Sequence, residues 1–348
     1  MPGNISAVTP KLSICIATYN RGAFIGQTLD SIMEQIGPEV ELLVVDGASP
    51  DDTASVVERY LAPDRPLRYL REAVNSGVDG DYDKAVGYAS GEYCWLMTDD
   101  DLLAPGAVAR VVAALESGPD LVIANAQVCT VDFSTVLTDR FLPFDNDRKY
   151  GGGTDAFFAD VASYLSFIGG VVVKRSLWLS RERQAFYGTV FIHVGVLFQA
   201  PLVGEIKVIA EPLVRIRYGN SMWTPRAFEI WMLKWPALIW GFAGYSDAAK
   251  AKVTAREPWR SFRKLVFRRA VGGYSIVEYR QFLAGNRSRG AAWQAWLVAR
   301  MPGSFANVVA GFYCLVINRD AKAGALDLAR SKHSTWISRQ AARTLAGS

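Results

Sequence analysis

A chain of 348 residues, half of them hydrophobic, 21% charged and 12% aromatic, is long enough to bury a large core, which excludes extensive disorder. Its net charge of +4 hides a split: residues 1–214 carry 16 Lys+Arg against 28 Asp+Glu, whereas residues 215–348 carry 22 against 6. The C-terminal arginines are interleaved with Trp, Phe and Leu rather than gathered on a short arm, which points to an anionic membrane surface and away from nucleic acid.

The first residues, Met1-Pro2-Gly3-Asn4-Ile5, lack a basic segment followed by an apolar core and a small-residue cleavage site, so no secretion signal is read and the expected location is cytoplasmic. Cys15, Cys94, Cys129 and Cys314 show no CxxC spacing, and three lie in apolar runs, the setting of buried reduced thiols. The longest C-terminal apolar stretches, 305–317 and 235–245, fall short of the roughly 20 residues that span a bilayer, leaving the membrane interface as their expected place.

Over the first 130 residues short apolar runs alternate with amphipathic ones, the pattern of βαβ units and a mostly parallel sheet flanked by helices. Residues 12–17 are a first strand, and 23–35 carry Phe24, Ile25, Leu29, Ile32 and Met33 at helical spacing. A second strand, 41–46, ends in an acid, and Pro50-Asp51-Asp52-Thr53 then starts a helix. Residues 67–70 form a third strand, 82–89 a helix, and 93–97 a fourth strand running into three aspartates, after which Pro105 opens a helix from its first turn. Two more strands are expected in 120–138, a Gly-rich loop at 150–153, a helix at 155–164, and strands at 170–173 and 206–217. Beyond Trp223 the pattern is helical, basic and Trp-rich.

In parallel α/β sheets ligands bind beyond the carboxyl ends of the strands, and Asn20, Asp46 and the Asp99-Asp100-Asp101 run all lie just past such ends. If the acidic run continued the strand, Asp99 and Asp101 would face one way and share a site. Oxygen-only ligands suit Mn2+ or Mg2+, which would neutralise charge growing on a diphosphate leaving group. A solvated acidic turn is the plainer alternative, but three adjacent like charges after a buried strand are costly without a counter-ion.

The run Leu12-Ser13-Ile14-Cys15-Ile16-Ala17-Thr18-Tyr19-Asn20-Arg21 resembles the opening of family 2 glycosyltransferases. Val44-Val45-Asp46-Gly47-Ala48-Ser49-Pro50-Asp51-Asp52-Thr53 resembles their second signature, and Gly91-Glu92-Tyr93 through Asp101 resembles their metal-binding DxD region. The resemblance covers about residues 10–215 and implies the GT-A fold of nucleotide-diphospho-sugar transferases. It implies that Thr18 and Tyr19 line a nucleobase pocket with Asn20 and Arg21 beside the donor, that Asp46 hydrogen-bonds the base, and that Asp99 and Asp100 meet the donor. Asp99 and Asp101 would hold the metal.

The chain departs from that pattern in two places. Gly47 stands where many members have a second Asp, and Asp79-Gly80-Asp81-Tyr82-Asp83-Lys84 resembles the abequosyltransferase-like branch, which acts on bacterial surface polysaccharides. Asp81 and Lys84 are there either to touch the donor or only to cap a helix. The acid that inverting members use as catalytic base falls where this chain reads Thr189-Val190-Phe191-Ile192-His193-Val194. Neutral His193 is a candidate base near pH 7, although a lone His in an apolar run is otherwise a hydrogen-bonded core residue. Asp155 and Asp160 are the fallback bases. Finally, Arg215 and Arg217 alternate with Ile216 before a loop running to Trp223, so they share a side and are placed either to grip a diphosphate or to neutralise the acidic N-terminal part.

The expected function is transfer of one sugar from a nucleotide diphospho-sugar to an acceptor hydroxyl on a lipid-linked or free oligosaccharide, peripherally at the inner face of the cell membrane. Residues 1–222 would be the GT-A catalytic domain and 223–348 a helical region meeting membrane or acceptor. One rival is a sugar-nucleotide nucleotidyltransferase, which needs a Gly-rich loop after the first strand where Tyr19-Asn20-Arg21-Gly22 has a single Gly. Another is a catalytically degenerate, membrane-associated subunit that binds or assembles glycans.

Overall fold

Strand β1 (Leu12–Thr18) is buried along almost its whole length, as a strand covered on both faces must be. It pairs in parallel with β2 (Val40–Asp46) on one side and β4 (Tyr93–Met97) on the other, and β2 pairs in parallel with β3 (Leu67–Arg71). Helices α1 (Gly22–Met33), α2 (Thr53–Glu58) and α3 (Gly77–Tyr88) make the crossovers. This computed structural model describes residues 9–62, 65–220, 226–285, 289–318 and 320–347. The Ser221-Met222-Trp223 end of the expected donor loop lies outside them.

The order β3-β2-β1-β4-β9-β6-β10-β5 completes the main path of a ten-stranded sheet. Here β5 is Leu102–Leu103, and helix α4 (Ala107–Leu115) leads to β6 (Leu121–Thr130). Two short strands, β7 (Val136–Thr138) and β8 (Arg148–Tyr150), pair with β6 and β10, and α5 (Asp155–Val161) precedes β9 (Val171–Lys174). Helices α6 (Arg175–Leu179) and α7 (Ile192–Phe198) come before the long β10 (Ile206–Tyr218). The sheet is mixed rather than parallel throughout, because β9 lies antiparallel between β4 and β6 and β10 runs antiparallel to β5 and β8. Reversal of order about β1, with β2 on one side and β4 on the other, makes the β1/β4 edge a switch point where such sheets open a crevice.

Two local expectations differ. Pro105 stands outside α4, whose N-cap is Gly106 at φ +79°, and α3 starts at Gly77, so that Asp79 and Asp81 are already inside it.

The chain divides into two interleaved units, where the sequence suggests a single cut after residue 222. The first comprises 1–128, 138–216 and 242–253; the second comprises 129–137, 217–241 and 254–348. Segment 242–253, which holds α10 (Asp247–Val253), stays with the first unit, where Phe242 and Tyr245 pack on Phe158 and Phe198. The second unit is helical. Helix α8 (Ala227–Glu229) passes through a π turn into α9 (Trp235–Gly241), and α11 (Phe262–Ala270), α12 (Ile276–Glu278) and α13 (Arg289–Arg300) follow. Helices α14 (Gly303–Val316), α15 (Lys322–Arg330) and α16 (Trp336–Ala346) end it. Its core gathers Leu265, Tyr274, Val298, Ala310, Cys314, Leu328 and Ala341. No helix among the described residues is long and apolar enough to cross a membrane.

In the first unit a single buried amide joins three segments. Asn125 Nδ2 donates to the carbonyls of Leu142 (2.8 Å) and Ala210 (2.9 Å), and its Oδ1 accepts from the backbone N–H of Ala126 and Leu142. Replacing it by Ala leaves buried backbone groups unpaired and opens a cavity. Asn125→Ala is therefore expected to lower the stability by about 3 kcal/mol. Urea unfolding of the variant should show an earlier midpoint at unchanged slope; an unshifted midpoint would contradict this account.

Candidate active site

The site begins with the tip of β1, where the backbone is held by side chains from the loop after β2. Asn20 N–H donates to Ser49 Oγ (2.9 Å), Arg21 N–H to Thr53 Oγ1 (2.8 Å) and Gly22 N–H to Asp51 Oδ2 (3.0 Å). Three successive donors are thus matched by three acceptors of one signature. Both tips contain a non-glycine residue in the left-handed region, Asn20 at φ +59° and Ala48 at φ +61°. Asn tolerates that conformation, whereas Ala48 is strained by about 1 kcal/mol and is retained by the bonds around it.

This clamp aims the Arg21 side chain at the end of β4. Its Nε lies 3.4 Å from Asp99 Oδ1 and its Nη2 lies 3.3 Å from Asp100 Oδ2, with all three side chains largely buried. The expected alternation of Asp99 and Asp101 does not occur. The strand ends at Met97 and the chain bends over 98–100, so adjacent Asp99 and Asp100 meet one guanidinium together, while buried Asp101 accepts from Thr98 Oγ1 at 2.5 Å. Asp99, Asp100 and Asp101 thus carry their carboxylates into a nearly dry place. Burial and then the neighbouring Asp100 push the Asp99 carboxyl up to about 7, against the opposing pull of Arg21 and Thr18. Beneath them Tyr82 donates to the Met97 carbonyl (2.9 Å), and burial followed by the three acids drives its phenol well above its ordinary range.

The acids are an oxygen-only set, which is the donor chemistry of Mg2+ or Mn2+. Among the described residues, however, no three or more His, Cys, Asp or Glu side chains are drawn around a common point in the manner of a finished metal centre.

Other candidates gather at the same edge. Tyr19, on the β1 tip, is 37% exposed and offers a free face for stacking. Pairing of β10 with β5 sets Arg215 opposite Leu102, one residue beyond Asp101. Asp81 approaches from α3, with Ser76 Oγ donating to its Oδ1 at 2.5 Å. A Cβ added to Gly47 would stand 2.5 Å from Asp81 Oδ2 and 3.5 Å from Asn75 Oδ1. The missing side chain at position 47 is what lets the Asp81 carboxylate reach the β2 tip, where burial raises its pKa.

Several residues are placed differently from the sequence expectation. Asp46 is 0% exposed, with Oδ1 accepting from Ser49 N–H (2.8 Å) and Oδ2 from the Tyr69 hydroxyl (2.7 Å); it ties β2 to its own loop and β3 and leaves a base little to bond. Lys84 is joined to Glu72 at 2.6 Å rather than directed to a phosphate. Arg217 belongs to the second unit, where its guanidinium donates to the Val131 carbonyl and stacks on Phe133 at 4.4 Å, a structural placement. Asp155 stands in the first turn of α5 and accepts from Ser246 N–H (3.0 Å), while Asp160 accepts from the Tyr150 hydroxyl (2.9 Å) and Arg148.

His193 is the largest correction. It lies in α7, all of whose residues are buried, with Nε2 2.6 Å from the Leu165 carbonyl. A carbonyl only accepts, so Nε2 carries the proton, and burial lowers the ring's pKa to about 4. The ring is neutral near pH 7, as a base requires, but it sits in the core. A residue that sequence reasoning passed over shapes this segment: Asp79 accepts from the backbone N–H of Val190 (2.8 Å) and Ile192 (3.0 Å), fixing the start of α7. Its position among three acids in the 79–83 segment was the available signal.

Two outcomes follow from this geometry. Gly47→Asp brings a second carboxylate against Asp81 and is expected to lower stability by about 2 kcal/mol, whereas the exchange Gly47→Asp with Asp81→Gly should recover most of it in thermal melts. For His193 the folded pKa lies below the ordinary value of 6.5, so the unfolded chain binds the extra proton. The contribution is full above about 6.5 and is lost as pH falls toward about 4. His193→Gln, which keeps a donor for Leu165, should flatten the pH dependence of the melting temperature in that window, and an unaltered profile would contradict the buried neutral ring.

Comparison with known proteins bears on the family and the fold. Residues 13–164 match the family model described as glycosyl transferase family 2. Over 228 residues, 60% of this chain and 67% of the relative, the sequence is 29% identical to abequosyltransferase RfbV of Salmonella typhimurium. Over 133 residues, 38% of this chain and 42% of the relative, it is 32% identical to the GalNAc(5)-diNAcBac-PP-undecaprenol beta-1,3-glucosyltransferase of Campylobacter jejuni. Among solved structures, residues 1-349 of S. aureus TarS in complex with UDP superpose with a TM-score of 0.57 at 16% identity, covering 96% of this chain and 90% of that one. The fold is that of the GT-A glycosyltransferases, and residues 13–164 of this chain are similar to glycosyl transferase family 2.

Proposed function

We propose that the protein transfers a single sugar from a nucleotide diphospho-sugar to an acceptor hydroxyl, using the β1/β4 edge as its donor site. The observation that carries this reading is Arg21, fixed by the second signature and paired with both Asp99 and Asp100 at the sheet's switch point. In the reaction the bond from the anomeric carbon to the diphosphate breaks and one to the acceptor oxygen forms. Negative charge grows on the diphosphate, so a site that places cations there favours the transition state. Arg21 and Arg215 are the residues assigned to that charge, and Tyr19 to stacking on the base. Asp99 and Asp101 would hold a divalent cation, Mn2+ or Mg2+, which supplies further neutralisation of the leaving group when bound. Asp81, from α3, is assigned to the donor's sugar or ribose side.

The name of the Campylobacter enzyme, which includes PP-undecaprenol, supports a lipid-linked saccharide acceptor, which the chain would meet at the inner face of the cell membrane in making bacterial surface polysaccharide. Neither His193 nor Asp155 is assigned proton transfer, since the imidazole is buried in the core and the Asp155 carboxylate is engaged by Ser246. That placement also favours a second reading, a subunit that binds donor or glycan without transfer. Segment 189–194 contains no acid, and its one ionisable side chain is buried.

Purified protein screened against nucleotide sugars with and without Mn2+ separates the two. Transfer predicts donor consumption that falls by about 10²–10³ in Asp99→Asn and Asp101→Asn, variants that keep the shape of each carboxyl group. Wild-type turnover in both would remove the acidic run from catalysis, and donor binding without consumption by the unaltered chain would establish the second reading.

A further inference from the structure

Helix α14 is built inside out. Its buried face is made of small residues, Gly303, Ala306, Ala310, Gly311 and Cys314 with Asn307, while its large apolar side chains face outward. Phe305 is 57% exposed, Val309 45%, Phe312 56% and Val316 55%, at steps of four, three and four residues that place them on one stripe. A helix of a water-facing protein carries charged residues there, and four large apolar side chains in a row mark a surface that another phase covers.

The stripe is bordered by cations from α11, which packs on α14. Arg263 donates to the Tyr313 hydroxyl at 2.9 Å and stacks its guanidinium 5.7 Å from that ring, and exposed Lys264 follows it. This is the chemistry of an anionic lipid layer: apolar residues for the acyl boundary, a Tyr for the interface and cations for the headgroups. A second copy of the chain is a poorer occupant, because residues 215–348 carry 22 Lys+Arg against 6 Asp+Glu and two such surfaces repel. At 14 residues α14 is too short to span a bilayer but suits a helix lying in its plane.

We infer that the α14 stripe of Phe305, Val309, Phe312 and Val316, with Tyr313 and Arg263 at its border, docks the protein flat on an anionic phospholipid surface. Neither the stripe nor its border belongs to the donor edge, so the inference stands independently of the sugar-transfer reading.

Flotation of the full chain with phosphatidylcholine vesicles, with and without phosphatidylglycerol, tests it. The wild type should float with the phosphatidylglycerol vesicles, less so at high salt. The F305S/F312S variant should bind at least about tenfold more weakly at an unchanged melting temperature and with unchanged hydrolysis of soluble nucleotide sugar. Arg263→Gln should reduce the salt-sensitive part alone. Equal flotation of wild type and F305S/F312S, or no flotation of the wild type, overturns the inference. A dimer that F305S/F312S abolishes, without vesicle binding, would give the face to a second copy and overturn it as well. Loss of donor hydrolysis across all proteins with lipid binding intact would count against the transfer reading and leave the docking face standing.

Discussion

Arg21 meets Asp99 and Asp100 where β1 and β4 end, with buried Asp101 next in the chain, and holding these charges in a nearly dry place is the constraint around which this edge is organised. Uncompensated buried charge is costly enough to unfold a loop, so each member must be held from outside the cluster. The loop after β2 fixes Arg21 by taking the backbone N–H groups of residues 20–22 onto Ser49, Thr53 and Asp51. Asp101 is stabilised by Thr98, and Tyr82 supports the Met97 carbonyl from below. Strain at Ala48 is retained because the surrounding bonds over-determine its conformation.

Much of this was legible in the sequence. Strands buried on both faces read as unbroken apolar runs, and the 93–97 strand was placed to the residue because its five apolar side chains end abruptly at a polar segment. The convergence of the β1 tip and the acidic run followed from their shared place just past the carboxyl ends of parallel strands. Orientation beyond a strand end did not follow, since the period of two holds only while the chain stays extended and residues 98–100 bend. Asp46 and His193 illustrate the same limit: the signature or the apolar run located them, but only tertiary partners, Tyr69 for one and Leu165 for the other, reveal how their side chains are held. The antiparallel β9 was likewise hidden, because a four-residue strand between two helical segments carries no mark of its direction.

The unequal charge of the two parts of the chain also takes a definite form. In the first unit acids gather at one sheet edge, whereas in the second the cations border a helix whose large side chains face outward. Small residues on the buried side of α14 let α11 and α16 pack closely, and Asn307, donating to Leu328 O at 3.0 Å and accepting from Thr335, fixes where α15 and α16 cross it. The same close packing is what leaves Phe305 and Phe312 outside. Sequence length excluded a membrane span there, but which face of 303–316 is covered required the packed helices.

The central claim is that the buried acids at the end of β4 form an incomplete cation site which a diphosphate finishes. Electron paramagnetic resonance of Mn2+ titrated into the protein tests it directly, because free aqueous Mn2+ gives a strong six-line signal that is lost on binding. The account predicts weak uptake by the protein alone and stoichiometric uptake once UDP or another nucleoside diphosphate is added, abolished by Asp101→Asn. Uptake that is the same with and without nucleotide, or that survives the substitution, would contradict it.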